Sequence, residues 1–198
     1  MIKEIVLATN NLNKVKEIQG LLNSFNVEVK TLKDLNLGDP IEDGKTFLEN
    51  SIIKARYAFE RTGLPSLADD SGFCVESLNC FPGLTSSRFI KAVGGEDKAF
   101  NIINECISPY DKRAYFITSL AFIYKDANEK TIIKDFEGRI NGKFVFPAKG
   151  EGGFGFDPTF IPDGYDKTFA EMPEEKLKIS HRTRALNQFF DFFKVLNG

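Results

Sequence analysis

The spacing of apolar and polar positions divides this chain into a series of elements. "EIVLAT" (4–9) is a short apolar run rich in β-branched residues, and the polar turn "NNLNK" follows it at once. From Lys14 onward Val15, Ile18, Leu21, Leu22 and Phe25 recur at the spacing of one helical face, so the chain opens as strand, turn and helix. "VEVKTL" (27–32) alternates and predicts a strand, whereas "LNLGDPIEDG" (35–44) is dense in turn residues and acids and reads as a loop. Leu48, Ile52, Ala55 and Phe59 line one face of the next helix, and Thr46 and Glu49 have the spacing of a capping box at its start. "SLADDSGFCVESL" predicts strand, turn, strand, and residues 94–107 predict a helix. "RAYFITSLAFIYKD" and "KTIIKDFEGRI" predict two long strands joined through "DANEK" as an antiparallel hairpin. "PAKGEGGFGFDP" (147–158) is a glycine-rich loop. A last helix begins at Ser180 as N-cap, with Leu186, Phe189, Phe190 and Phe193 on its apolar stripe. Parallel-type units followed by hairpin-type units predict an α/β protein with a mixed sheet.

Composition narrows the class without changing that outline. A chain of 198 residues with 42% hydrophobic content can bury a core of its own, in one domain or one domain of two lobes. No apolar run approaches the roughly 18 residues that a membrane-spanning helix needs. The N-terminal stretch lacks the long apolar core and cleavage site of a signal peptide, so a cytoplasmic protein with no membrane partner is expected. Three cysteines without zinc-like spacing, and one histidine, argue against a disulfide framework or a structural zinc site. A net charge of −2 argues against binding along a nucleic-acid backbone. It leaves room for a small anionic ligand, because a local cluster of lysines can oppose the global charge.

Four stretches carry candidate chemistry, and each also has a plainer reading. "TNNLNK" lies where a strand passes into a helix; the N–H groups of a helix start attract anions, and Lys14 adds a full positive charge. The same residues also make a capped helix with a solvated lysine. Asp69 and Asp70, with Glu42, offer hard oxygen donors for a cation such as Mg²⁺, and a carboxylate beside a metal can orient or deprotonate a water. Alone, Asp-Asp-Ser-Gly is a polar turn. In "GEGGFGFDP" the glycines could wrap a ligand while Phe154 and Phe156 present flat apolar faces for a base, or the segment is a flexible loop with a phenylalanine returned to the core. In "EEKLKISHRTRAL", Lys176 and Lys178 precede a helix whose first turn holds His181 and Arg182. Positive groups there oppose the helix dipole unless an anion or acceptor is present.

In this order the segments "LATNNLNKVKEI", "EDGKTFLENSIIKARYA", "LPSLADDSGFCVESLNCFPGLTSSRF", "GEGGFGFDPTFIPDGYDKTFAEMP" and "EEKLKISHRTRAL" resemble the inosine/xanthosine triphosphate pyrophosphatase family, across essentially the whole chain. The resemblance implies one domain of two α/β lobes around a long, curved mixed sheet, with an active-site cleft between the lobes, usually in a homodimer. It implies Mg²⁺-dependent hydrolysis of inosine, deoxyinosine and xanthosine triphosphates to the monophosphate and pyrophosphate. Carried over residue by residue, the phosphate-binding segment falls on Thr9, Asn10, Asn11 and Lys14, and a further nucleotide contact on Lys54. Metal association falls on Glu42, Asp69 and Asp70, with Asp70 also assigned the attacking water, and Ser71 follows as a substrate contact. The base-reading loop falls on Phe154, which stacks, with Gly155, Phe156 and Asp157, and the segments closing over phosphate and base on Lys176, His181 and Arg182. Asn13, Ser51, Ser87 and Phe156 depart from the commonest family residues without removing a charged group. Two other readings stay open: a catalytically silent nucleotide-binding regulator, and a pyrophosphatase for other modified nucleotides.

Overall fold

The structure, a computed structural model, describes residues 2–22 and 27–198. Strand β1 (Glu4–Leu7) leads into helix α1 (Leu12–Leu22), strand β2 (Glu28–Thr31) and helix α2 (Phe47–Thr62). Strand β3 (Ser66–Val75) follows, then the short β4 (Phe81–Gly83) and helices α3 (Ser86–Val93) and α4 (Glu96–Cys106). The long strands β5 (Arg113–Lys125) and β6 (Thr131–Phe144), the short β7 (Phe160–Pro162) and helices α5 (Pro173–Ile179) and α6 (His181–Asn197) complete the chain. The sheet runs β2-β1-β3-β5-β6-β7, with β4 paired to β3. β1 is parallel to both β2 and β3, while β3–β4 and β6–β7 are antiparallel, so the protein is α/β with a mixed sheet.

Two compact units share these strands. One comprises residues 1–70, 119–137 and 185–198, the other 71–118 and 138–184. In the first, β1 steps to β2 through α1, and β2 returns past β1 to β3 through α2. Right-handed crossovers in opposite directions put the two helices on opposite faces of these strands. The packing agrees. Ile5, Leu7 and Leu67 join a core with Ile18, Leu22 and the α6 residues Phe189 and Phe193, whereas Val6, Ala8 and Ala68 join one with Ala55 and Ala58 of α2. The alternation of side chains along a strand therefore puts Leu67 and Asp69 on the α1 face and Ala68 and Asp70 on the α2 face. The second unit has a phenylalanine-rich core in which Phe73, Phe116, Phe144, Phe156, Phe160 and Phe169 pack together.

Several elements differ from the sequence expectation. Residues 66–75 form one continuous strand, with no turn at "DDSG". The expected helix over 94–107 is α4 alone, because Gly94 (φ 86°) and Gly95 (φ 130°) separate it from an unanticipated α3. Lys176 and Lys178 lie inside the short helix α5 rather than in a lead-in segment. On α2 the most buried face carries Asn50, Ser51, Lys54, Ala55 and Ala58, with the larger apolar residues only partly buried. Its cap is half a box: Thr46 accepts from the Glu49 N–H, but the Glu49 carboxylate accepts from the Lys45 N–H, one residue earlier. Ser180 caps α6 as expected, its Oγ accepting from the Thr183 N–H at 3.2 Å. Of the stripe expected on α1, Val15, Ile18 and Leu22 are buried; Phe25 and the side chain of Leu21 lie outside the described residues.

Candidate active site

Asp69 and Asp70 do not share a face. Asp69 follows Leu67 in pleat parity and meets α1; Asp70 follows Ala68 and meets α2. Lys14 on α1 places Nζ 3.0 Å from Asp69 Oδ2, and Lys54 on α2 donates to Asp70 Oδ1 at 2.9 Å. Asp69 is fully buried and Asp70 is 8% exposed. Two charges so placed demand opposite charges close by. The two lysines answer the repulsion that the sequence poses, and each carboxylate has its own counter-ion from its own helix.

Glu42, in the loop before α2, brings Oε1 to 3.5 Å from the same Lys54 Nζ. Burial would lower the Lys54 pKa, but Asp70, Asp69 and Glu42 outweigh it and hold the ammonium above its ordinary value. Asp70 Oδ2 accepts from Asn50 Nδ2 at 3.2 Å. Asn50 lies one helical turn before Lys54, so both reach Asp70 from one face of α2. The sequence reading did not single out Asn50, although that spacing was its signal.

At the start of α1, Asn11 Oδ1 accepts from the N–H groups of Asn13 (3.0 Å) and Lys14 (3.4 Å), and Thr9 Oγ1 accepts from the Asn11 N–H (3.1 Å). The capped-helix reading of "TNNLNK" therefore holds for the backbone. The Asn10 amide donates to Asp39.

The second group is built in the other unit. Asp157 is 2% exposed, and its Oδ2 accepts from Lys176 Nζ (2.7 Å) and from the Phe154 N–H (2.8 Å). Lys176 Nζ stands 4.6 Å from the centre of the Phe154 ring and Arg182 Cζ 6.0 Å from it, so two cations lie near one aromatic ring. Arg182 also donates to Ser71 Oγ at 3.3 Å, and Ser71 is hydrogen-bonded to the buried Thr118. His181 is buried with its ring stacked on Phe116, centroids 4.9 Å apart.

Phe156 does not stand beside Phe154 as a second base platform. It is buried and stacked on Phe73 at 4.7 Å, where the phenylalanine core takes it. Three of the loop glycines are closely packed, whereas a Cβ on Gly155 would meet nothing within 4 Å. A Cβ on Gly150 would lie within 2.8 Å of the backbone at Ala170 and Glu171, one on Gly152 would lie 2.8 Å from the Ala170 carbonyl oxygen, and one on Gly153 would lie 2.1 Å from Asp157 Oδ2. They permit close backbone packing, and the Gly155 N–H is held by Glu96 on α4 at 2.8 Å, another partner that the sequence did not announce.

No cluster of three or more His, Cys, Asp or Glu suited to a metal occurs among the described residues. Of the expected trio, Asp69 pairs with Lys14 on α1, whereas Glu42 and Asp70 share Lys54. These two aim oxygens at one cationic point, Lys54 Nζ, and hard carboxylate oxygens in that arrangement fit a divalent ion that takes its remaining ligands from phosphate and water.

One unit thus holds buried lysine–carboxylate pairs and the other a phenylalanine beside a lysine and an arginine, within an α/β protein with a mixed sheet. Among known proteins that class narrows at once. The chain belongs to the Ham1 family, whose family model matches residues 5–192. It is 42% identical over 191 residues to the dITP/XTP pyrophosphatase of Haemophilus influenzae, covering 94% of this chain and 97% of that protein. The dITP/XTP pyrophosphatase of Zymomonas mobilis is 39% identical over 189 residues, 93% of this chain and 88% of that one. The solved structure of a HAM1 protein from Coxiella burnetii matches with a TM-score of 0.86 at 35% identity, covering 98% and 99% of the two chains.

Proposed function

We propose that this protein hydrolyses inosine- and xanthosine-type nucleoside triphosphates (ITP, dITP, XTP) to the monophosphate and pyrophosphate, removing them from the nucleotide pool. The observation that carries the reading is the Asp70–Lys54–Glu42 group, a buried carboxylate and a cation converging with a second carboxylate, in a chain whose relatives bear the name dITP/XTP pyrophosphatase.

The phosphates are assigned to Lys14, Lys54, Thr9, Asn10 and Asn11. A triphosphate carries about three to four negative charges into an acidic protein, so concentrated lysines are needed to attract it. Glu42 and Asp70 would hold Mg²⁺, which when bound neutralises charge on the phosphate oxygens. Asp70, an acceptor while ionised, orients a water toward the α-phosphorus. The water oxygen bonds to that phosphorus, and the α–β bridging bond breaks with its electron pair leaving on pyrophosphate. The water's proton passes to Asp70 and then to solvent.

Phe154 stacks on the base. Lys176 and Arg182 carry only donors, which suit the 6-oxo group of hypoxanthine or xanthine. Adenine presents a 6-amino donor there, and an unpaired buried donor costs about 1–3 kcal/mol. Ser71 and His181 are assigned as further substrate contacts. Mg²⁺ as the metal, a homodimer and a cytoplasmic location belong to this proposal through the family resemblance.

A panel of inosine, xanthosine, guanosine, adenosine and thymidine triphosphates with Mg²⁺, assayed for monophosphate and pyrophosphate, tests it. Turnover of inosine and xanthosine triphosphates well above the rest is expected. Absence of turnover of any of them refutes the enzyme, and release of orthophosphate with diphosphate refutes the cleavage position.

A further inference from the structure

Asn50 is fully buried, and its side chain lies between two segments of the first unit. Its Oδ1 accepts from the Gly44 N–H at 2.9 Å, and its Nδ2 donates to Asp70 Oδ2 at 3.2 Å. The orientation of the amide is determined by chemistry: a backbone N–H only donates and a carboxylate only accepts, so the oxygen must face Gly44 and the nitrogen Asp70. Gly44 belongs to the same device. A Cβ there would lie 2.6 Å from Asn50 Oδ1 and 2.9 Å from the Asn50 backbone nitrogen, so glycine lets the loop close onto the helix.

We infer that Asn50 is a positioning residue with two tasks: it fixes the rotation of the Asp70 carboxylate, and it ties the loop bearing Glu42 to α2, keeping the two carboxylates in register. The inference rests on the proposed pyrophosphatase reading for its kinetic consequence alone. Asp70 is then held at both oxygens by one helix, Oδ1 by Lys54 and Oδ2 by Asn50. Glu42 lies two residues before the anchored Gly44 and reaches the same Lys54. Without the tie, the loop and Asp70 would respond separately to an incoming ion, and partners that orient metal-binding side chains are typically worth about 10–100-fold in metal affinity or activity.

Two substitutions separate the tasks. Asn50→Asp keeps an acceptor for the Gly44 N–H but faces Asp70 with an oxygen; Gly44→Ala pushes the loop away and leaves the amide donor to Asp70. The measurements are kcat and KM for inosine triphosphate with Mg²⁺, Mn²⁺ binding by paramagnetic resonance without nucleotide turnover, and hydrogen exchange at the residue 44 amide. For Asn50→Asp the expected result is a fall in kcat of about 10–100-fold with little change in KM, while the Gly44 amide stays protected. For Gly44→Ala, Mn²⁺ affinity falls about tenfold and the residue 44 amide exchanges rapidly.

Unchanged kcat and Mn²⁺ affinity in both variants overturns the inference. So does an Asn50→Asp loss that comes with an unprotected Gly44 amide and a matching fall in melting temperature, which marks a merely structural residue. If the unsubstituted protein turns over no nucleotide, the pyrophosphatase reading fails by itself, and Mn²⁺ affinity with amide exchange still decides whether Asn50 couples the loop to Asp70.

Discussion

In the first compact unit, cations come to the carboxylates from helices on either side of β3: Lys14 from α1 to Asp69, Lys54 from α2 to Asp70. In the second, one carboxylate gathers everything to itself, and Asp157 holds both the Lys176 ammonium and the Phe154 backbone. The first arrangement balances charge between elements that already pack through their apolar faces. The second uses an ion pair to shape a loop that Phe156 anchors in the phenylalanine core. Substitution should therefore damage chemistry in the first unit and architecture in the second.

Asp70→Asn gives the largest expected effect. It removes the charge assigned to the water while leaving a side chain of the same shape between Lys54 and Asn50. Loss of kcat by about 10²–10⁴-fold is expected in a steady-state assay, with a native circular dichroism spectrum. Equal losses of activity and fold would erase the contrast between the units.

Asp157→Ala should act the other way. It takes from the Lys176 ammonium, which is 3% exposed, its carboxylate partner at 2.7 Å, and removing one partner of a buried pair costs about 3–5 kcal/mol. Thermal denaturation should show a melting temperature lower by about 10 °C. A stable variant that has merely lost base binding would make Asp157 a reader of the base rather than the organiser of its loop.

Phe154→Ala keeps the ion pair and removes only the ring. Weaker binding by about 1–3 kcal/mol is expected for every base tested, because stacking does not distinguish them, and KM across several triphosphates measures it. An effect on one base alone would replace stacking with specific recognition.

The smallest effect separates the units by pH. Burial pushes the Cys74 thiol, in the second unit, up from 9.0 to about 11, while the Lys54 ammonium, in the first, is held above 10.5. Both groups keep a proton in the folded protein that the unfolded chain releases, so both contributions are complete at neutral pH and fall as pH rises. The thiol begins near pH 9 and should cost about 1 kcal/mol by pH 10, before the lysine contributes. Urea denaturation at pH 8 and pH 10 would show this slope, and Cys74→Ala should reduce it, leaving the part due to the Tyr115 and Tyr124 hydroxyls, which burial also pushes up.

The early elements were legible because their apolar spacing is set by a single buried face: β1, the buried residues of α1, and the stripe of α6 stand where periodicity puts them. β3 was misread because nearly every one of its residues is buried, which abolishes alternation. "DDSG" then has the composition of a turn while its carboxylates are neutralised from both sides by helices distant in sequence. The same distance hid Asn50, Thr118 and Glu96, whose importance lies in a partner and not in a residue type. Phe156 was indistinguishable from Phe154 on paper; only the core decides which ring turns inward.

Side-chain parity along β3 also bears on how this chain can vary in length. Removing one residue anywhere in Ser66–Asp69 would exchange the faces of everything after it, presenting Asp70 to Lys14 and Ser71 to Lys54. The turn at Asp126–Lys130, between β5 and β6, carries no such parity. Insertions and deletions that a lineage could accept freely at that turn would be lethal to function when placed in β3, even if every amino acid type there were kept.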